Sequence, residues 1–125
     1  MGTPWVFEAI DHVQLAMPAG GEKDAEDFYG GVLGFSLIPK PENLAVRGGR
    51  WFEAGHIRIH LGVEPDFRPA RKAHPALVVS CFDAFVDHLR SSGVPFVGDE
   101  EIPGLKRGYI DDCFGNRLEL IEAPS

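Results

Sequence analysis

The sequence predicts an α+β fold built from two β-α-β-β-β modules. Their eight strands are expected to form a curved, mostly antiparallel sheet, with one helix per module on its outer face. Three observations carry this. Arg58-Ile59-His60-Leu61 and Arg117-Leu118-Glu119-Leu120 share the pattern Arg-aliphatic-X-Leu at a shift of 59 residues, and the same shift carries Gly34 onto Gly93. A shift of 62 carries Asp11-His12-Val13-Gln14-Leu15 onto Ala73-His74-Pro75-Ala76-Leu77. The order of strand-type and helix-type patterning is also the same in each half.

The elements follow in chain order. Ile10 to Met17 alternates as a strand, with Val13, Leu15 and Met17 on one face and His12, Gln14 and Ala16 on the other. Pro18-Ala19-Gly20-Gly21 ends it. Glu22 to Leu33 reads as a helix with Ala25, Phe28, Tyr29, Val32 and Leu33 on its apolar side, stopped by Gly34. A short strand is expected over Phe35 to Pro39, and another over Leu44 to Val46 and Arg50 to Glu53, broken by Gly48-Gly49. Ile57 to Val63 is the clearest strand of this half. It places Arg58, His60 and Gly62 on one face. Residues 65–72, with two prolines and no periodicity, read as a linker.

The second half repeats the order. Ala73 to Ser80 reads as a strand. Phe82 to Ser91 reads as a helix with Phe82, Phe85, Val86 and Leu89 on one stripe, Asp83 suiting its first turn and Gly93 closing it. Strands follow near Phe96-Val97, Lys106 to Asp111 and Arg117 to Ile121, with Phe114-Gly115-Asn116 turning into the last. The 125 residues therefore read as a single domain over 1–125, with module 1 about 8–64 and module 2 about 73–122.

With the helices covering the aliphatic face, the other face is expected to be concave. By alternation it carries His12, Gln14, Arg58, His60, His74, Arg117 and Glu119. Imidazole nitrogen and carboxylate oxygen are standard ligands for divalent metals. Two His and one carboxylate leave positions open for substrate oxygens. A metal so held acts as a Lewis acid, and a neighbouring carboxylate can move a proton.

The segments Ile10-Asp11-His12-Val13-Gln14-Leu15, Asp27-Phe28-Tyr29 with Val32-Leu33-Gly34-Phe35, Ala73-His74, and Asp112 to Ile121 carry a resemblance. The chain resembles the vicinal-oxygen-chelate superfamily, which includes glyoxalase I, extradiol dioxygenases and the bleomycin- and fosfomycin-resistance proteins. The resemblance implies that His12, His74 and Glu119 ligate a divalent metal (Zn, Ni, Mn or Fe). It places His60 at the fourth position, as a ligand or as a polar pocket residue. Glu119 and His60 are then the catalytic candidates. Glyoxalase I enzymes of similar length carry Glu at the position of His60, so the chain departs from that pattern. The resemblance further implies a homodimer, with His12 and His60 of one chain meeting His74 and Glu119 of its partner.

Two function classes follow. One is a metal-dependent lyase, isomerase or dioxygenase acting on a small oxygen-chelating molecule. The other is a metal-free binding protein for an antibiotic-like molecule. For substrate contacts, Arg58 and Arg117 either bind an anionic group or pair with carboxylates at the rim. Trp51, Phe52 and Tyr109 are candidate pocket walls. His56 and His88 read as solvated, and Cys81 and Cys113 as small fillers, with burial expected at Cys81.

Composition narrows the partners. A net charge of −7 without a Lys/Arg run argues against nucleic acid. The apolar runs are too short to cross a bilayer, and the N-terminus lacks a signal-peptide pattern. Two cysteines give no disulfide framework, so the expected location is the cytoplasm.

Overall fold

The computed structural model describes residues 2–124. Eight strands form two four-stranded sheets of the same connectivity. The first is ordered β1-β4-β3-β2 and consists of β1 (Val13–Met17), β2 (Ser36–Ile38), β3 (Arg50–Ala54) and β4 (Ile57–Val63). The second is ordered β5-β8-β7-β6 and consists of β5 (Ala76–Val79), β6 (Val97–Gly98), β7 (Arg107–Asp111) and β8 (Arg117–Glu122). The outer-to-inner pairs β1·β4 and β5·β8 are parallel, and the remaining pairs are antiparallel. The α+β two-module architecture is as predicted, with the eight strands divided between two hydrogen-bonded sheets.

The register makes the internal repeat physical. Gln14 pairs with His60 in the first sheet, and Ala76 pairs with Glu119 in the second. These are the positions that the shifts of 62 and 59 equate. His60 and Glu119 thus occupy equivalent places in two copies of one frame.

Alternation fills the core. Leu15, Met17, Phe52, Ile59 and Leu61 of the first sheet join Ile110, Leu118 and Leu120 of the second in one buried cluster. The first helix, α1 (Glu22–Ala25), continues as a π-helix over Glu26–Val32. It seats Tyr29 against Phe52, rings stacked at 5.4 Å. The sequence predicts one regular α-helix here. The amide of Leu33 instead bonds back to the carbonyl of Phe28, an i to i+5 closure beside the Gly30-Gly31 pair. Helix α3 (Phe82–Ser91) buries Phe82, Val86 and Leu89, with Phe82 edge-on to Phe96.

Three local expectations are corrected. Leu44 to Val46 is not a strand: Glu42–Ala45 form a one-turn helix, α2, behind Pro41. Pro41 fixes the turn, because its carbonyl accepts the amides of Leu44 and Ala45. Strands β1 and β5 begin later than predicted, so His12 and His74 lie just ahead of them. Cys81 is exposed rather than buried, and it holds a left-handed conformation with φ 52° at the start of α3. Residues ahead of β1 leave large apolar side chains in the open: Trp5 is 63%, Phe7 94% and Ile10 79% exposed.

A buried polar latch joins the modules. The Tyr29 hydroxyl donates to Asp112 Oδ2 at 2.7 Å. Asn116, fully buried, donates from Nδ2 to the Ala16 carbonyl at 2.9 Å and accepts the Ala70 amide on Oδ1 at 2.9 Å. Burial first, and then Asp112, push the Tyr29 hydroxyl well above its ordinary pKa. Every polar group of this latch is satisfied, as burial demands. Gly49 is fixed for a different reason. At φ +84° an added Cβ would stand 2.2 Å from the Leu61 carbonyl oxygen, and its amide donates to Glu22 Oε2 at 2.8 Å. Among the described residues, no helix is long and apolar enough to cross a membrane.

Candidate functional site

The predicted ligands lie on the sheet faces opposite the core, as two pairs. In the first module His60, 8% exposed, projects from the middle of β4. Its ring is sandwiched: Trp51 of β3 stacks on it at 4.1 Å and His12 at 4.0 Å, with interplanar angles of 9° and 15°. The β3–β4 register sets this, because Trp51 is the direct cross-strand partner of His60. His12 is turned further by Asp11, whose Oδ2 lies 2.9 Å from His12 Nδ1. Burial, and then the neighbouring His12, lower the pKa of His60.

In the second module the pair is a histidine and a carboxylate. His74 Nε2 lies 2.9 Å from Glu119 Oε1, while His74 Nδ1 lies 2.8 Å from the Lys72 carbonyl oxygen. Both neighbours of the ring accept hydrogen bonds: a proton on Nδ1 is donated to the Lys72 carbonyl and one on Nε2 to Glu119. The second oxygen of Glu119 accepts from Arg107 Nη1 at 2.9 Å. Arg107 also reaches Asp99 Oδ2 at 3.0 Å and donates to the Tyr109 hydroxyl at 3.1 Å. The hydrogen bond with His74, and then Arg107, hold the Glu119 carboxyl below its ordinary pKa. The buried Arg107 Nε has no hydrogen-bond partner, and we have no physical account of that.

Among the described residues, no group of three or more His, Cys, Asp or Glu is gathered closely enough to hold a metal ion. The four predicted ligands therefore do not converge within one chain. The donor types still suit a divalent metal. Two ligands at about 2.0–2.2 Å from one ion, roughly at right angles, stand about 2.9 Å apart. The His74–Glu119 spacing of 2.9 Å fits two neighbouring positions on one ion. The His12–His60 pair fits less directly, because parallel rings aim their in-plane lone pairs side by side. One ring must rotate before both can face a common ion.

The other predicted contacts separate clearly. Trp51 and Tyr109 lie on the site faces. Phe52 does not: it is fully buried, packed on Tyr29 on the opposite side of β3. Arg58 pairs with Asp11 at 3.2 Å and Glu53 at 3.7 Å, the rim arrangement. Arg117 has its guanidinium 4.9 Å over the Tyr109 ring. His56 is exposed, and the exposed His88 has Nε2 2.7 Å from the Val32 carbonyl oxygen. Sequence reasoning missed Arg107 and Asp99. The one available signal was alternation, which puts Arg107 on the face of Tyr109.

Two hollows bear on the site. A cleft of about 230 Å³ lies where the modules meet, lined by Asp11, His12, Arg58, Pro75 and Leu77 among others. A larger one of about 760 Å³ lies between α3 and the segment from Asp99 to Lys106. It shares only Arg107 and Asp99 with the ionic cluster, so size does not mark the chemistry here.

Twin β-α-β-β-β modules with histidine and carboxylate at equivalent strand positions define a class of paired-module α+β proteins. Within that class, the chain belongs to the Glyoxalase/Bleomycin resistance protein/Dioxygenase superfamily, whose family model matches residues 9–120. A glyoxalase family protein from Bacillus anthracis is 44% identical, with 98% of this chain and 100% of that chain covered and a TM-score of 0.94. TnmS3, an antibiotic binding protein from Streptomyces sp. CB03234, is 25% identical, with 94% and 100% covered and a TM-score of 0.68. FosX, a fosfomycin resistance protein from Listeria monocytogenes, shares the fold at 13% identity, with 95% and 96% covered and a TM-score of 0.71. No curated protein matches the chain.

Proposed function

We propose that the chain is a divalent-metal-dependent enzyme of the glyoxalase/dioxygenase type. Its substrate is a small organic molecule that presents two oxygens, and its chemistry is that of a lyase, isomerase or dioxygenase. The observation that carries this is the His74–Glu119 pair at 2.9 Å. It stands in the frame position where the other module offers His60, with His12 stacked on it. His12, His74 and Glu119 would hold the ion, with His60 as the fourth residue of the set.

When bound, the ion supplies Lewis acidity toward the substrate oxygens. The residues of the chain do the rest. His74 is oriented by the Lys72 carbonyl, which leaves Nε2 facing Glu119. Arg107 fixes Glu119 through Oε2, so that Oε1, which faces His74, is the oxygen that would hold the ion or exchange a proton with His74. Trp51 and Tyr109 wall the two halves with aromatic surface.

The reading includes a homodimer that joins the half-sites. Two observations support it. The donors come as separated pairs in one chain, and Trp5, Phe7 and Ile10 lead directly into His12 with their apolar surfaces exposed. The exposed thiols Cys81 and Cys113 suit a reducing cytoplasm.

Metal analysis of protein purified without chelator tests the reading. The expected result is stoichiometric metal, with a rise in Tm on adding Zn, Ni, Mn or Fe to stripped protein. No metal and no shift would sink it. One observation favours a second reading, a metal-free binding protein for an antibiotic-like ligand: Arg107 already neutralises Glu119. His74→Ala separates the two. A binder keeps its ligand affinity, whereas the metalloenzyme loses metal and activity together.

A further inference from the structure

The two arginines that the sequence leaves equivalent have different fates. Arg58 is spent on carboxylates at an exposed rim, with Asp11 at 3.2 Å and Glu53 at 3.7 Å. Arg117 forms no ion pair and no side-chain hydrogen bond among the described residues. Asp111 stands opposite it in the β7–β8 register, yet the two do not pair within ion-pair distance. Glu119, two residues along the same face, is occupied by His74 and Arg107. The half-buried guanidinium of Arg117 instead lies 4.9 Å over Tyr109.

Tyr109 completes the arrangement. Its hydroxyl accepts from Arg107 at 3.1 Å and retains its own proton to donate. His74 meets its ring edge-on at 5.7 Å. The contact with the ring holds the guanidinium of Arg117 without consuming its N–H groups, which leaves a fork suited to two oxygens of one anion. In a chain of net charge −7, a half-buried cation held without a carboxylate beside the candidate catalytic carboxylate has a ligand-binding role as its simplest use.

We propose that Arg117, held on Tyr109, recognises an oxyanion, so that the ligand of this face is a small organic acid. This rests on the reading above for where the site lies, but not on the presence of a metal. Carboxylate and phosphonate share the chemistry that the fork reads. A planar and a tetrahedral probe distinguish them.

The test uses the full chain stripped of metal with a chelator. Benzoate, phenylphosphonate and the neutral benzamide are titrated in turn, read by the arginine Nε–H signals and the tyrosine ring signals in NMR spectra. The expected result is saturable shifts of Arg117 and Tyr109 with at least one acid, none with benzamide and none at Arg58. Arg117→Gln is expected to weaken the acid about tenfold or more, Arg117→Lys less, and Arg58→Gln not at all. If Arg117→Gln fails to fold, the wild-type shifts and Arg117→Lys decide. Failure of both acids to bind overturns the proposal, as do equal binding of benzamide, unchanged affinity in Arg117→Gln, or an equal loss in Arg58→Gln. Metal uptake is measured on separate samples. Protein that takes up metal but no acid overturns this proposal alone, and protein that binds acid but no metal overturns only the metal reading.

Discussion

The two half-sites occupy the same positions of a duplicated frame and hold themselves together by opposite means. In the first, His60 sits between two rings, and its surroundings disfavour charge. In the second, Glu119 sits between His74 and Arg107, and its surroundings favour charge. The backbone, the register and the buried neighbours are alike. One residue per module, with its cross-strand partner, decides whether the pocket is aromatic and neutral or ionic. A fold of this kind stores its chemical identity in a few outward-facing side chains, while the inward-facing ones keep the frame constant.

The contrast is most exposed to Glu119→Leu. Removing the carboxylate leaves Arg107, 10% exposed, with Asp99 as its only carboxylate partner among the described residues. The change removes two charge-assisted hydrogen bonds at once, to His74 and to Arg107, which urea unfolding would report as the largest drop in midpoint of the set, at unchanged slope. The same exchange in the first module, His60→Leu, is expected to cost about 1 kcal/mol or less, because Leu still fills the space between Trp51 and His12. Equal losses in the two variants would show that the half-sites are stabilised alike, and would end the comparison.

The pH dependence is smaller. The folded pKa of His60 lies below its unfolded value, so the unfolded chain binds the extra proton more readily. The contribution of His60 to stability is then fully present above about pH 6.5 and is lost as pH falls toward the folded pKa. Between pH 7 and 5 the fall is less than about 1.4 kcal/mol per pH unit, and it is expected to vanish in His60→Leu. A slope that survives in that variant assigns the titration to another group. Smallest of all is Arg58→Gln, whose exposed pairs are worth within about 0.5 kcal/mol, measured in low salt.

Much of the fold was legible because it lives in side-chain periodicity. Helix α3 and strand β4 fall on the predicted residues, and the internal shifts that equate His60 with Glu119 are those that the register realises. What was hidden has physical reasons. The π-turn over Glu26–Val32 is a hydrogen-bond pattern, and its apolar stripe reads like that of an α-helix. Trp51 and Phe52 both read as pocket walls, although alternation lets only one of two neighbours face the site, because Gly48-Gly49 breaks the pattern that would phase β3. Arg107 was invisible because a charged residue at a strand start usually faces water, and one of its partners, Asp99, precedes β7 in a segment without regular structure. The convergence of the ligands was also out of reach, since alternation assigns a face and not a distance.

The linker has a consequence of its own. The amide of Ala70 donates to Asn116 Oδ1, and the Ala70 carbonyl accepts the amide of Arg117. A segment that reads as a loose tether is stitched at one peptide to the start of β8. The stretch before it is held, among the described residues, by packing alone, with Phe67 edge-on to Phe114 at 6.3 Å, while the four-residue step from Ala70 to His74 acts as a ruler. Adding a residue next to exposed Asp66 should leave the His74–Glu119 pair in place. The same addition after Ala70 would carry His74 away from Glu119 with every strand left in place, making the length of a loop, rather than any ligand, the means of switching the site off.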